Sequence, residues 1–207
     1  MTLLSLAFSA LADAPRAPVA ETGVQAWVRR AREGDREAAA QLYRTYAQKV
    51  YRTVRALAAS DAEAEDLTQD TFAKAFEALD RYEQRDGVRF VSWLLSIAMN
   101  LARRAHQKRR RTAPLPPERL AAVPDEVSLP PDGALERATL RAALLGAIEA
   151  LPEREREIVT LTYGGELTST EVADLTGVRA AHVRKILERA RLQLRAALRR
   201  RLGDPSP

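Results

Sequence analysis

The chain contains no cysteine. That excludes disulfides, thiolate metal sites and a cysteine nucleophile, and it fits a reducing compartment. Its two histidines, His106 and His182, stand far apart in sequence, so no histidine-based metal centre is expected. Aromatic residues make up only 5% of the chain, and β-branched residues are sparse. No apolar run reaches the roughly 20 residues of a membrane-spanning helix, so stable membrane insertion is not expected. A glycine-rich phosphate loop is also missing, and no cofactor is expected. Ala, Leu, Arg and Glu are plentiful instead, a mixture that favours helix almost everywhere.

The first residues are apolar, "LLSLAFSALADA", and end in an Ala-Asp-Ala that resembles a secretory cleavage site. The first basic residue is Arg16, however, and a signal peptide normally begins with positive charge. Residues 1–23 are therefore read as an N-terminal extension of a cytoplasmic protein. The net charge of +5 is unevenly spread. Two basic blocks, 24–111 and 135–203, flank an acidic connector at 112–134, and a short tail follows at 204–207. The connector holds six prolines, and an interior proline costs a helix about 3 kcal/mol. It reads as an extended linker between two small helical domains. The expected fold is all-α.

Within the first block the pattern turns helical near Val24, and Leu42, Tyr43, Tyr46, Val50, Tyr51, Val54 and Leu57 recur at three- and four-residue steps as one face of a long helix. Ser60 or Asp61 can cap the next helix, with acids in its first turn. On that helix Asp66, Gln69 and Asp70 share one face. Such a face can hold a metal, act as an acid/base pair, dock a protein or simply be solvated. No His or Cys completes a metal or catalytic set there, so docking is favoured over catalysis and no enzymatic activity is expected.

The stretch "WLLSIAMNLARRAHQKRRR", Trp93 to Arg111, begins as an apolar stripe and ends with six Lys/Arg in nine residues. Arg103, Arg104 and Lys108 belong to that run, and phosphates are its natural partners. A dipole-favoured helix end or an anionic membrane surface would suit it as well. Residues 169–188 read as a helix-turn-helix. Ala173 is small where two helices cross, Gly177 offers the positive φ of a tight turn, and Val172, Leu175, Val183, Ile186 and Leu187 are apolar at packing positions. The second helix then points Arg184, Lys185, Glu188 and Arg189 outward, with Arg179 and His182 near its start. Such a helix enters the major groove, where Arg and Lys donate to guanine or phosphate and Glu accepts from cytosine. An ordinary αα-hairpin with a solvated face is the plainer alternative.

Taken together these stretches resemble the extracytoplasmic-function (ECF) sigma factors of the sigma-70 family. "REGDREAAAQLYRTYAQKVYRTV", "DAEAEDLTQDTFAKAF", "FVSWLLSIAMNLARR" and "ALPEREREIVTLTYGGELTSTEVADLTGV" match the family's blocks in order. The resemblance implies a σ2-like domain at 24–111 that binds bacterial core RNA polymerase through Asp66, Gln69 and Asp70. It implies that the same domain recognises and melts the −10 element through Arg81 to Phe90, including Arg89, and through Asn100, Arg103, Arg104 and Lys108. It implies a σ4-like domain at 135–203 that reads the −35 element through Arg179, His182, Arg184, Lys185, Glu188 and Arg189. Promoter DNA and an anti-sigma factor are the other implied partners.

The chain departs from the family's usual residues at Met99, Arg104, Ile186, Glu188 and the start of the recognition helix, Arg179 to Val183. These positions lie on or beside the DNA-reading surface, so the promoter sequence is not predicted. Phe90 and Trp93 are expected in the core. The competing function is a stand-alone helix-turn-helix regulator, which predicts a dimer on palindromic half-sites.

Overall fold

Among the described residues of the computed structural model, 21–83, 88–112 and 134–202, every regular element is a helix. The N-terminal extension as far as residue 20, residues 84–87 of the Arg81–Phe90 loop, the linker at 113–133 and the tail from 203 lie outside the described residues.

Four α-helices form the first half, α1 (Glu21–Arg32), α2 (Arg36–Arg55), α3 (Asp61–Glu77) and α4 (Phe90–Thr112), with a short 3-10 turn at Leu79–Arg81 after α3. The helical pattern that starts near Val24 is divided into α1 and α2 by a break at Gly34–Asp35. Gly34 takes φ +87°, which only glycine adopts without strain. Asp35 then caps α2, accepting from the backbone N–H groups of Glu37 at 2.9 Å and Ala38 at 3.1 Å. These are donors a helix start otherwise leaves unpaired. Ser60 caps α3 in the same way through Glu63 N–H.

Leu42, Tyr46, Val50 and Val54 of α2 are buried, as their spacing predicts, in one core with Val24 and Val28 of α1, Phe72 of α3 and Leu94 of α4, whereas Tyr43, expected on the same face, is exposed and packs on the Phe72 ring at the edge of that core. Phe90 is fully buried among Tyr46, Tyr82 and Trp93, with ring centroids 5.3–5.5 Å away. Burying such a ring contributes about 2–3 kcal/mol. It also fixes the start of α4, and with it Arg89 and Ser92.

The second half is α5 (Ala134–Glu149), α6 (Glu153–Tyr163), α7 (Ser169–Thr176) and α8 (Ala180–Leu202). Its core is Leu144, Ile148, Ile158, Leu161, Val172, Val183, Leu187 and Leu194. The two halves pack directly, α6 on α2 and α7 on α4. Gly164 and Gly165 lie in that contact. A Cβ on Gly164 would stand 3.1 Å from Thr53 Cα, and one on Gly165 would stand 2.6 Å from Leu95 Cδ1. The backbone of the second half therefore lies close against Thr53 and Leu95 of the first, and a side chain at either glycine would require these neighbours to shift.

Candidate nucleic-acid interface

Helix α3 turns Leu67, Phe72 and Ala75 into the core. Asp66, Gln69 and Asp70 are exposed together on the other side. The sequence-based face is therefore formed and open to solvent. Nearer the helix start, Asp61 gathers Arg55 Nε at 2.5 Å, Tyr51 Oη at 3.0 Å and Arg141 of α5. Burial alone would raise the Asp61 pKa, but Arg55 and Arg141 outweigh it and hold the carboxyl below its usual value. Among the described residues no three His, Cys, Asp or Glu side chains converge as metal ligands.

Helix α4 carries the transition anticipated from the sequence. Leu94, Leu95, Ala98, Met99 and Ala102 are buried, and Arg104, Lys108, Arg110 and Arg111 are exposed beyond them. Two of its other cations bind protein carboxylates. Arg109 pairs with Glu63 and donates to the Leu57 carbonyl at 3.1 Å. Arg103 pairs with Glu157 of α6 through two bonds, Nε at 2.5 Å and Nη2 at 3.1 Å. Exposed Asn100 accepts from Arg103 Nη1 at 3.3 Å. Glu157 itself is buried, so this pair crosses the junction between the halves.

Arg89 crosses the same junction. Its guanidinium meets Glu171 of α7 through two parallel bonds of 2.7 Å, and Nη2 also reaches the Glu166 carbonyl at 3.1 Å. Ser92 donates to Glu171 at 2.7 Å. Glu171 meanwhile closes the capping box of α7, accepting from Thr168 N–H at 2.9 Å. Burial by itself would raise the Glu171 pKa. The bonds from Arg89, Ser92 and Thr168 prevail and bring it down to about 2.

Glu166 completes the set with Lys49 at 2.7 Å and Arg52 at 2.8 Å. Its backbone has φ +54°, a left-handed geometry that costs a non-glycine residue about 1–2 kcal/mol. The pairs across the junction offset that strain. Sequence reading did not single out Glu157, Glu166 or Glu171 as partners of the first half: Glu157 and Glu171 look like ordinary helix carboxylates, and Glu166 lies in the α6–α7 connection.

The helix-turn-helix forms as the spacing predicts. Gly177 takes φ +69° between α7 and α8 and donates its N–H to the Ala173 carbonyl at 2.8 Å. Val183, Ile186, Leu187 and Ala190 pack inward. Arg179, His182, Arg184, Lys185 and Glu188 are exposed along the start of α8. Arg189 is exposed too but pairs with Glu155, which draws its charge toward α6. The arrangement presents cations and one acid on a helix face of the kind that fits a major groove.

Residues 42–112 match the sigma-70 region 2 family and residues 147–196 match sigma-70 region 4. The RNA polymerase sigma factor CarQ of Myxococcus xanthus is 31% identical over 169 residues, covering 82% of this chain and 94% of CarQ. The ECF RNA polymerase sigma factor BldN of Streptomyces coelicolor is 33% identical over 166 residues, covering 79% of this chain but only 61% of BldN. The chain thus spans about three fifths of that relative's length. Among solved structures, CnrH in complex with the cytosolic domain of CnrY has a similar fold, with TM-score 0.61 and 24% identity over 83% of this chain and 94% of that one. RpoE in complex with the anti-sigma factor NepR, from Bartonella quintana, gives TM-score 0.56 and 22% identity over 77% and 95%. Two family regions in the right order and a relative matched over nearly its whole length make this chain a member of the ECF sigma factors of the sigma-70 family.

Proposed function

We propose that the chain directs bacterial core RNA polymerase to promoters and opens them there. The observation that carries this reading is the pairing, in one chain, of an exposed acidic face on α3 with an exposed basic helix-turn-helix face on α8. A stand-alone regulator needs the second face and has no use for the first.

In this reading Asp66, Gln69 and Asp70 dock core polymerase. Arg179, His182, Arg184, Lys185, Glu188 and Arg189 meet the −35 element. Arg89, Asn100, Arg103, Arg104 and Lys108 meet the −10 element and its backbone. Opening there follows from base chemistry, because an extruded base exposes edges that a duplex hides, at an unstacking cost of a few kcal/mol.

The acids at the junction refine the account. Glu171 and Glu157 hold Arg89 and Arg103 in the places phosphates would take. Those two arginines engage DNA only after the halves separate, and polymerase docking is the event that separates them. An anti-sigma protein is the proposed inhibitory partner, by likeness to RpoE in its complex with the anti-sigma factor NepR. The cytoplasm is the proposed compartment. Among the described residues no helix is long and apolar enough to cross a membrane.

Gel filtration with core polymerase tests the docking step. The protein is expected to co-elute with core, and Asp66→Arg/Asp70→Arg is expected to abolish co-elution without changing the protein's helicity. Co-elution that survives both substitutions contradicts the docking assignment.

A further inference from the structure

Between the two halves lies a cavity of about 440 Å³. It is walled by the α2–α3 connection on one side, the end of α4 on another, and α5 and α6 on the third. No role assigned above uses it. Its volume falls within the roughly 300–1,000 Å³ of small-molecule sites.

The lining carries four guanidinium groups, Arg55, Arg109, Arg110 and Arg156, with His106 among them. Arg55 and Arg109 are held by Asp61 and Glu63. Among the described residues the other two, Arg110 and Arg156, form no ion pair. Arg110 makes no ion pair or hydrogen bond among the described residues and is exposed. Arg156 spends its Nη2 on the Glu149 and Leu151 carbonyls, at 2.7 and 3.2 Å, and its Nε is buried with no acceptor. Among the described residues Glu149 is the carboxylate on the lining, and it is exposed. Leu57, Leu145 and neighbouring alanines form the apolar part of the lining.

We infer that this cavity binds a phosphorylated nucleotide, its phosphates on Arg110 and Arg156 and its base against Leu57 and Leu145. Guanidinium groups favour phosphate oxygens, and an apolar wall favours a flat base over a bare anion. The walls come from both halves of the chain. A ligand seated there binds the packed arrangement and not the separated one, so it stabilises packing by mass action. The inference is independent of the sigma-factor reading, because binding is measured on the protein alone.

The test is isothermal titration of the full chain with ATP, inorganic pyrophosphate and adenosine in about 150 mM salt, where loose surface charge is largely screened. ATP is expected to saturate one site in the micromolar range, with pyrophosphate and adenosine each at least tenfold weaker. The melting temperature is expected to rise with ATP. Arg110→Glu and Ala59→Glu change exposed residues on the lining and are each expected to weaken ATP at least tenfold. Arg184→Glu makes the same charge change as Arg110→Glu, but on α8, and is expected to leave ATP affinity unchanged. No saturable ATP binding overturns the proposal, and so does an equal loss from Arg184→Glu, which marks general attraction to a basic surface. Pyrophosphate binding as tightly as ATP overturns the nucleotide assignment.

Discussion

Replacing Glu171 with glutamine removes one charge at the junction and leaves an amide oxygen able to cap α7, since Gln also serves at that position of a capping box. With that oxygen kept on the Thr168 N–H, the substitution removes the charge and the bonds that Glu171 accepts from Arg89 and Ser92. Held at about 2 instead of 4.5, the carboxyl carries on the order of 3 kcal/mol of differential stabilisation at neutral pH. The Glu171 side chain is 8% exposed, but Arg89 is 39% exposed, and solvent screens the pair in part. The expected loss for Glu171→Gln is therefore about 2 kcal/mol at pH 7, in line with a charge-assisted bidentate bond.

Urea unfolding followed by helical signal gives the total. Trp93 fluorescence, read with Trp27 replaced by Phe, gives the junction, because the Trp93 ring lines the same groove as Glu171 and Leu175. The pH dependence has a defined direction. A folded-state pKa below the free value gives stability that is whole above about pH 4.5 and is lost as pH falls toward about 2. The gap between parent and variant is thus expected to narrow over that interval. A double-mutant cycle with Arg89→Ala is expected to show about 1.5 kcal/mol or more of coupling. Equal stability of parent and variant at pH 7, or simple additivity in the cycle, refutes the pairing and with it the masked state of Arg89.

Gly164→Ala places a Cβ 2.8 Å from the Thr160 carbonyl and 3.1 Å from Thr53 Cα, so it is expected to destabilise the packed form by about 1–3 kcal/mol and to speed proteolysis between the halves. Gly177→Ala meets no atom within 4 Å; its penalty is conformational alone, about 1–2 kcal/mol, read as a lower melting temperature with helicity retained. Glu157→Gln frees Arg103 from a buried carboxylate and is expected to lower stability while raising affinity for single-stranded −10 DNA, measured by fluorescence anisotropy. Arg184→Ala is expected to leave stability within about 0.5 kcal/mol and to weaken −35 binding in the polymerase complex, read by footprinting.

Local features of this fold were legible in the sequence because their causes are local. The spacing of Leu42, Tyr46, Val50 and Val54 fixes the buried face of α2. Ser60 has a cap's chemistry, and Gly177 sits where only a left-handed residue closes the turn. The break at Gly34–Asp35 carried a readable signal, a glycine followed by a capping aspartate, but the apolar period on both sides masked it. The junction had no such signal. Glu171 satisfies a capping box, Asp61 complements a helix dipole and Glu157 looks like one more charge on an acidic helix. Each of these local roles is sufficient without a partner. Only the approach of the halves at Gly164 and Gly165 brings these acids to Arg89, Arg103 and Arg141. The exposure of Asp66, Gln69 and Asp70 followed from the face opposite Leu67 and Phe72. That Arg89 and Arg103 lie under carboxylates did not follow from any pattern.

In vitro transcription from a pooled promoter library, with core RNA polymerase lacking its own sigma factor, tests the central claim most directly. The account predicts new start sites, each preceded by shared −10 and −35 sequences, that appear only when this protein is added. Failure of the protein to bind core, with tight duplex binding by the free protein on palindromic sites, would contradict it.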